Sequence, residues 1–157
     1  MQTFENALLL ERVQRIPQPL DTVFEFFSDA ANLEALTPPF LRFQILSPLP
    51  IEMKSGARIE YSLSLFRIPF RWKTVISLWE DGVRFVDQQE SGPYALWHHT
   101  HEFQEEAGVT VMKDIVRYRL PFGVIGRITH ELMVKRILET IFDYRRDAVQ
   151  SIFQPTA

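Results

Sequence analysis

The sequence predicts an α+β fold: a curved antiparallel sheet wrapped around a long C-terminal helix, with two short helices after the first strand. Three observations predict it. Between residues 41 and 120, short strand-like runs with alternating apolar and polar residues are separated by tight turns, the pattern of antiparallel hairpins. From about Phe122 to Phe153 the apolar residues recur at three- and four-residue spacing, which marks one long amphipathic helix. Between Pro17 and Pro39 the spacing is also helical, but proline punctuation cuts it into short pieces.

The elements follow in order. Residues 4–16 read as a strand that Pro17 and Pro19 end. Pro19 suits the first turn of a helix, and Asp21 behind it complements the helix dipole. Leu20, Phe24 and Phe27 then follow at helical spacing. A second short helix from about Asp29 to Leu36 must stop before Thr37-Pro38-Pro39, because the residue before a proline is pushed out of the helical region. Strands are expected at Leu41–Ser47, Arg58–Leu65, Phe70–Trp79, Val83–Glu90, Ala95–Gln104 and Val109–Leu120. In the second of these, Ile59, Tyr61, Leu63 and Leu65 alternate with Arg58, Glu60, Ser62 and Ser64. In the last helix, Met133, Ile137, Ile141, Tyr144, Ala148 and Ile152 form the stripe expected to face the sheet, widened by Val134, Leu138, Val149 and Phe153. Lys135, Arg136, Glu139, Arg146 and Asp147 fall toward solvent. A helix of about 30 residues spans about 45 Å, enough to cross a whole sheet.

Composition narrows the function. The 157 residues fit one domain, residues 1–157, with a sizeable core. The absence of cysteine excludes disulfides, thiolate metal sites and cysteine nucleophiles. The first residues carry no basic and apolar leader, and no apolar run approaches the ~18 residues of a membrane span, so a soluble cytoplasmic protein without stable membrane insertion is expected. Seventeen basic and 20 acidic residues are well mixed, and the net charge of −3 leaves no footprint for nucleic acid. Thirteen Phe, four Tyr and three Trp require a ring-dense core or a lined pocket. There is no G-x-S-x-G elbow, P-loop or G-x-G-x-x-G turn, and no cofactor is expected.

The run Ala95–Gln104 carries the chemistry. Trp97, His99, His101 and Phe103 share one face, and the two large rings turn that face toward the helix, so two histidines point inward. On the next strand Thr110, Met112, Asp114, Val116 and Tyr118 share the inner face; on the preceding one Phe85, Asp87 and Gln89 do. A two-residue turn at Glu106-Ala107 would set His101 opposite Met112 and His99 opposite Asp114, giving a row Asp87–His99–Asp114 across three strands. An imidazole between two carboxylates could orient a polar ligand head or shuttle a proton, so His99, Asp87 and Asp114 are the catalytic candidates; a self-satisfied polar network is the plainer alternative. His99 and His101, two apart on one face, could also ligate a metal with Asp114. No fourth ligand is evident and no metal is expected.

Three loop tips, Phe66-Arg67-Ile68-Pro69, Ser91-Gly92-Pro93-Tyr94 and Pro121-Phe122-Gly123, are unusually apolar for turns that share one end of a meander. They can fold onto the helix, form the lip of a cavity, or dock a partner through Phe66, Ile68, Tyr94 and Phe122, with a homodimer as one such assembly.

The order of elements resembles the START-like, helix-grip superfamily, also called SRPBCC, which includes polyketide cyclases and birch-pollen-allergen-like proteins. Phe26-Phe27-Ser28-Asp29, Leu36-Thr37-Pro38-Pro39, Pro48-Leu49-Pro50-Ile51, Trp97-His98-His99-Thr100-His101-Glu102-Phe103 and Leu120-Pro121-Phe122-Gly123 are similar to one bacterial branch of it. The resemblance implies a pocket between sheet and long helix that takes a lipid, sterol, hormone or polyketide, in some members with cyclase or dehydratase chemistry. It supplies no catalytic residues. The primary expectation is therefore a non-enzymatic binder of an apolar or amphipathic small molecule. Tyr61, Trp72, Trp97, Met112, Tyr118 and Ile141 would line its cavity, and His99, His101 and Asp114 would hold a polar end.

Overall fold

A computed structural model describes residues 4–65 and 67–154. Strand β1, Leu8–Ile16, alternates exposed and covered residues along its length. It begins later than the sequence suggests, because Asn6 takes a left-handed conformation (φ 59°) and turns the chain before it. Helix α1, Leu20–Phe27, starts at an extended Pro19 and buries Val23, Phe24 and Phe27. A 3₁₀ helix, Ala30–Leu36, follows, its first turn capped by Asp29, whose carboxylate accepts from the Ala31 N–H. Thr37-Pro38 ends it as expected.

The strand expected over Leu41–Ser47 shrinks to β2, Gln44–Ile45, because Pro39–Leu41 closes into a second 3₁₀ turn and Arg42 turns left-handed. Strands β3 (Arg58–Leu65), β4 (Ile68–Glu80), β5 (Arg84–Ser91), β6 (Leu96–Glu106) and β7 (Val109–Arg119) complete the sheet. Seven antiparallel strands run in the order β1-β7-β6-β5-β4-β3-β2. Register shifts in the β4–β5 pairing, at Lys73/Thr74 and Ile76/Leu78, bend the sheet as bulges do.

The long C-terminal helix lies on this sheet. It comprises α2 (Gly123–Thr129), a π-helical turn (His130–Val134) and α3 (Lys135–Ile152). Gly126 lets the chain enter it tightly, since a Cβ there would collide with the Pro121 carbonyl oxygen. The buried face is Leu138, Phe142, Val149 and the following Phe153. The expected stripe is therefore about one residue out of phase: Met133, Tyr144 and Ile152 are exposed. The π turn adds a residue to one turn of the helix, so Met133 within it does not share the phase of α3. On α2 and the π turn, Val124, Ile125, Ile128 and Leu132 are exposed. No helix among the described residues is long and apolar enough to cross a membrane.

Two buried clusters hold helix to sheet. One joins Phe24 and Phe27 of α1 to Phe85, Phe103, Met112, Val149 and Phe153. Phe24 meets Phe103 edge-on at 5.1 Å and Trp79 at 5.4 Å. The other joins Trp72, Trp97, Val116 and Tyr118 to Leu138 and Phe142. Each fully buried side chain of this size contributes about 1.5–3 kcal/mol.

The β6–β7 register departs from expectation. Glu106 pairs with Val109, so the two turn residues are Ala107 and Gly108, both left-handed (φ 51° and 80°), as a type I′ hairpin requires. Every pair is displaced by two residues: His101, not His99, lies opposite Asp114, and Phe103 lies opposite Met112. The β5–β6 register puts Asp87 opposite His99, as the sequence predicts. A shift of two preserves the faces, so the expected inner sets of β6 and β7 are all buried.

Candidate ligand-binding cavity

Between the two clusters, sheet and helix border a partly open cavity of about 210 Å³. It exists because the sheet is bent and rings hold its walls apart. Trp72 stands edge-on to Trp97 at 5.3 Å and lies stacked on Tyr61 at 5.9 Å. Tyr94 packs on both tryptophans, at 5.5 and 4.9 Å. Leu138, Ile141 and Phe142 close it from the helix.

One region of the wall is polar. Asp87, His99, His101 and Arg145 all line the cavity. The rings of His99 and His101 stack at 3.7 Å, and Phe85 stacks on His101 at 4.2 Å. His99 Nε2–H donates to Asp114 Oδ1 at 2.7 Å, and His101 Nε2–H donates to Asp87 Oδ2 at 2.5 Å. The expected straight row across three strands is thus a diagonal lattice. Asp87 Oδ2 is also 3.5 Å from His99 Nδ1, and Asp114 Oδ1 is 3.4 Å from His101 Nδ1.

Arg145 completes the cluster. Its guanidinium lies 3.4 Å from both Asp114 Oδ1 and His101 Nδ1, with the Phe27 ring 5.2 Å away. Burial works to raise both carboxyls, but the surrounding charges win. His99, the bond and charge of His101, and Arg145 hold Asp87 below the usual carboxylate range. Arg145 first, then His99 and His101, hold Asp114 well below it. Burial, followed by the like charge of His99, pushes the His101 imidazole down to about 4 against the pull of both carboxylates.

Of the residues nominated from sequence, Tyr61, Trp72, Trp97, His99, His101, Ile141 and Asp87 line the cavity. Met112, Asp114 and Tyr118 do not. Met112 sits in the cluster under α1. Asp114 stands behind the histidines, reaching a smaller hollow shared with Arg12 and Gln14. The Tyr118 hydroxyl is hydrogen-bonded to His130 Nε2 at 2.7 Å. Arg145 was missed; its signal is a charge on the helical spacing of Leu138, Phe142 and Val149, an apolar face. Of the four residues suggested for docking, Tyr94 is packed inward, Ile68 and Phe122 are exposed, and Phe66 lies outside the described residues.

The fold has known counterparts. The chain superposes on the Zhui aromatase/cyclase from Streptomyces sp. R1128 with a TM-score of 0.74 at 14% identity, covering 95% of this chain and 94% of that one. TTHA0849 from Thermus thermophilus gives 0.65 at 18% identity (92% and 99% covered). A START superfamily protein from Mycobacterium smegmatis gives 0.64 at 10% (92% and 98%). No family model and no curated protein matches the sequence itself. These likenesses establish the fold: this is the helix-grip architecture of START-like proteins.

Proposed function

We propose that the chain, acting as a single domain with the START-like fold, binds a small apolar or amphipathic molecule, of lipid or polyketide type, between its sheet and its C-terminal helix. The observation that carries this reading is the cavity itself: aromatic walls from Tyr61, Trp72 and Trp97, an aliphatic side at Ile141, and a polar end at His99, His101 and Arg145. That combination holds an apolar body and orients one polar group. The Trp72 indole N–H has no acceptor among the described residues, which suits a ligand oxygen. Native mass spectrometry of the purified protein, followed by denaturing extraction, tests the reading. A copurifying small molecule that is lost on Ile141→Trp supports it. An empty protein with no thermal shift and no change in tryptophan fluorescence across a lipid and polyketide panel refutes it.

A second reading is a cyclase- or dehydratase-type enzyme with His99 as acid and base and Asp114 or Asp87 orienting it. It is favoured by the 2.7 Å His99–Asp114 hydrogen bond on a histidine that lines the cavity. Under this reading His99→Ala retains ligand binding but loses turnover; a His99→Ala protein with undiminished turnover removes it.

A further inference from the structure

The geometry points to a binding site for a divalent first-row transition metal at the polar end of the cavity, with Asp87 Oδ2, His99 Nδ1 and His101 Nε2 as its ligands. Each of the three residues offers one ligand atom within 4.8 Å of the others', and all three residues line the cavity. Two imidazoles and one carboxylate on a facing set leave the remaining coordination positions open toward the cavity. Bonds of about 2.1 Å in a tetrahedral arrangement separate ligand atoms by about 3.4 Å. The Asp87–His99 pair already stands at 3.5 Å, and the Asp87–His101 pair must widen from 2.5 Å.

The strands behind these ligands supply what such a site needs. In neutral His99, Nε2–H is fixed on Asp114, which leaves the Nδ1 lone pair facing a carboxylate oxygen at 3.5 Å. Two electron-pair donors face each other there, and an electrophile fits between them. His101 binds the ion after its proton moves from Nε2 to Nδ1, which lies 3.4 Å from Asp114 Oδ1; the Arg145 N–H that faces Nδ1 must then turn wholly to Asp114. One buried carboxylate thus backs both histidines, the arrangement that orients imidazole ligands and raises their basicity. Arg145 balances Asp114 and touches the Nδ1 edge of His101, away from the ligand nitrogen. The metal reading of the sequence had Asp114 as the third ligand; the observed register makes it the supporting residue and Asp87 the ligand.

This site does not depend on what fills the apolar part of the cavity, and metal alone tests it. The full chain, dialysed against EDTA, is titrated with Zn²⁺ by calorimetry and with Co²⁺ by visible absorption. One equivalent should bind, with the intense visible bands of low-symmetry Co²⁺. The histidine NMR signals separate the four histidines: Zn²⁺ should shift those of His99 and His101 and spare His98 and His130. His99→Ala, His101→Ala and Asp87→Ala should each weaken binding at least about 100-fold, and Asp114→Asn about 10–100-fold. His98→Ala should bind as the parent does. No saturable binding by the parent chain, shifts confined to His98 or His130, or full binding by a folded His99→Ala/His101→Ala variant would overturn the proposal. The NMR measurement on the unaltered chain decides the matter even where a variant does not fold.

Discussion

Acid should unfold this protein in two separable stages, and His101 governs the first. Its imidazole is pushed down to about 4, from an ordinary 6.5, by burial beside His99. The unfolded chain therefore takes up a proton between pH 6.5 and 4 that the folded chain does not, so stability is fully present above pH 6.5 and falls as pH falls through that window. A shift of this size is worth about 2–3 kcal/mol by pH 4.5. With a urea m-value of about 2 kcal/mol/M, the midpoint should drop by about 1–1.5 M. Urea titrations with EDTA present, at pH 7, 6, 5 and 4.5, measure it. His101→Gln, which can still donate to Asp87, should lose less than half as much over the same range. Asp87 and Asp114, both held below the usual carboxylate range, add a second loss only below about pH 4, as the folded carboxyls are forced to protonate. A parent midpoint that is flat from pH 6.5 to 4.5, or an equal slope in His101→Gln, would refute the reasoning.

Other outcomes follow from the same geometry. Arg145→Met leaves the buried Asp114 carboxylate without its cation and should cost about 3–5 kcal/mol, with part recovered in Arg145→Met/Asp114→Asn when both are melted. Phe142→Ala, on the buried face of α3, should cost about 3–5 kcal/mol, whereas the exposed Tyr144→Ala should cost under about 1, as urea titration will show. Ala107→Gly relieves a left-handed alanine in the β6–β7 turn and should raise stability by about 1 kcal/mol, or roughly 2–4 °C in Tm. Trp72 and Trp97 line the cavity, so entry of an apolar ligand should change tryptophan fluorescence, and Ile141→Trp should suppress its binding.

The fold was legible because it rests on periodicities. Alternation in β6 and β7 survives any even slip in register, so the inner faces could be read without knowing the turn. The turn itself could not, because it seats Ala107 in a conformation that costs any residue with a Cβ, and the sequence points instead to a turn ending before Gly108. The face of α3 was blurred for a different reason. Apolar residues occupy more than one side of the last helix, so Ile137, Ile141 and Ala148 beside the buried face compete in the sequence with Leu138, Phe142 and Val149 on it. Arg145 was lost with it, since a charge on a helix is ordinarily assigned to water. Asp87, His99 and Asp114 were legible as inward-facing groups, and so was Asp87 opposite His99; the His101–Asp87 bond and the place of Asp114 opposite His101 were not, because they depend on a register the sequence leaves open.

The position of β1 has a consequence for how the chain folds. Its strand partner is β7, with Leu8 opposite Tyr118 and Ile16 opposite Thr110, about a hundred residues downstream. The pairs from β2 to β7 are closed by connections between strands consecutive in the chain, and each can form as soon as its second strand exists. β1 must instead wait through the synthesis of the whole meander, its Leu10 and Ile16 uncovered until β7 is in place. Closing that long loop is the largest entropic step in the topology, so docking of β1 should come late and set the folding rate.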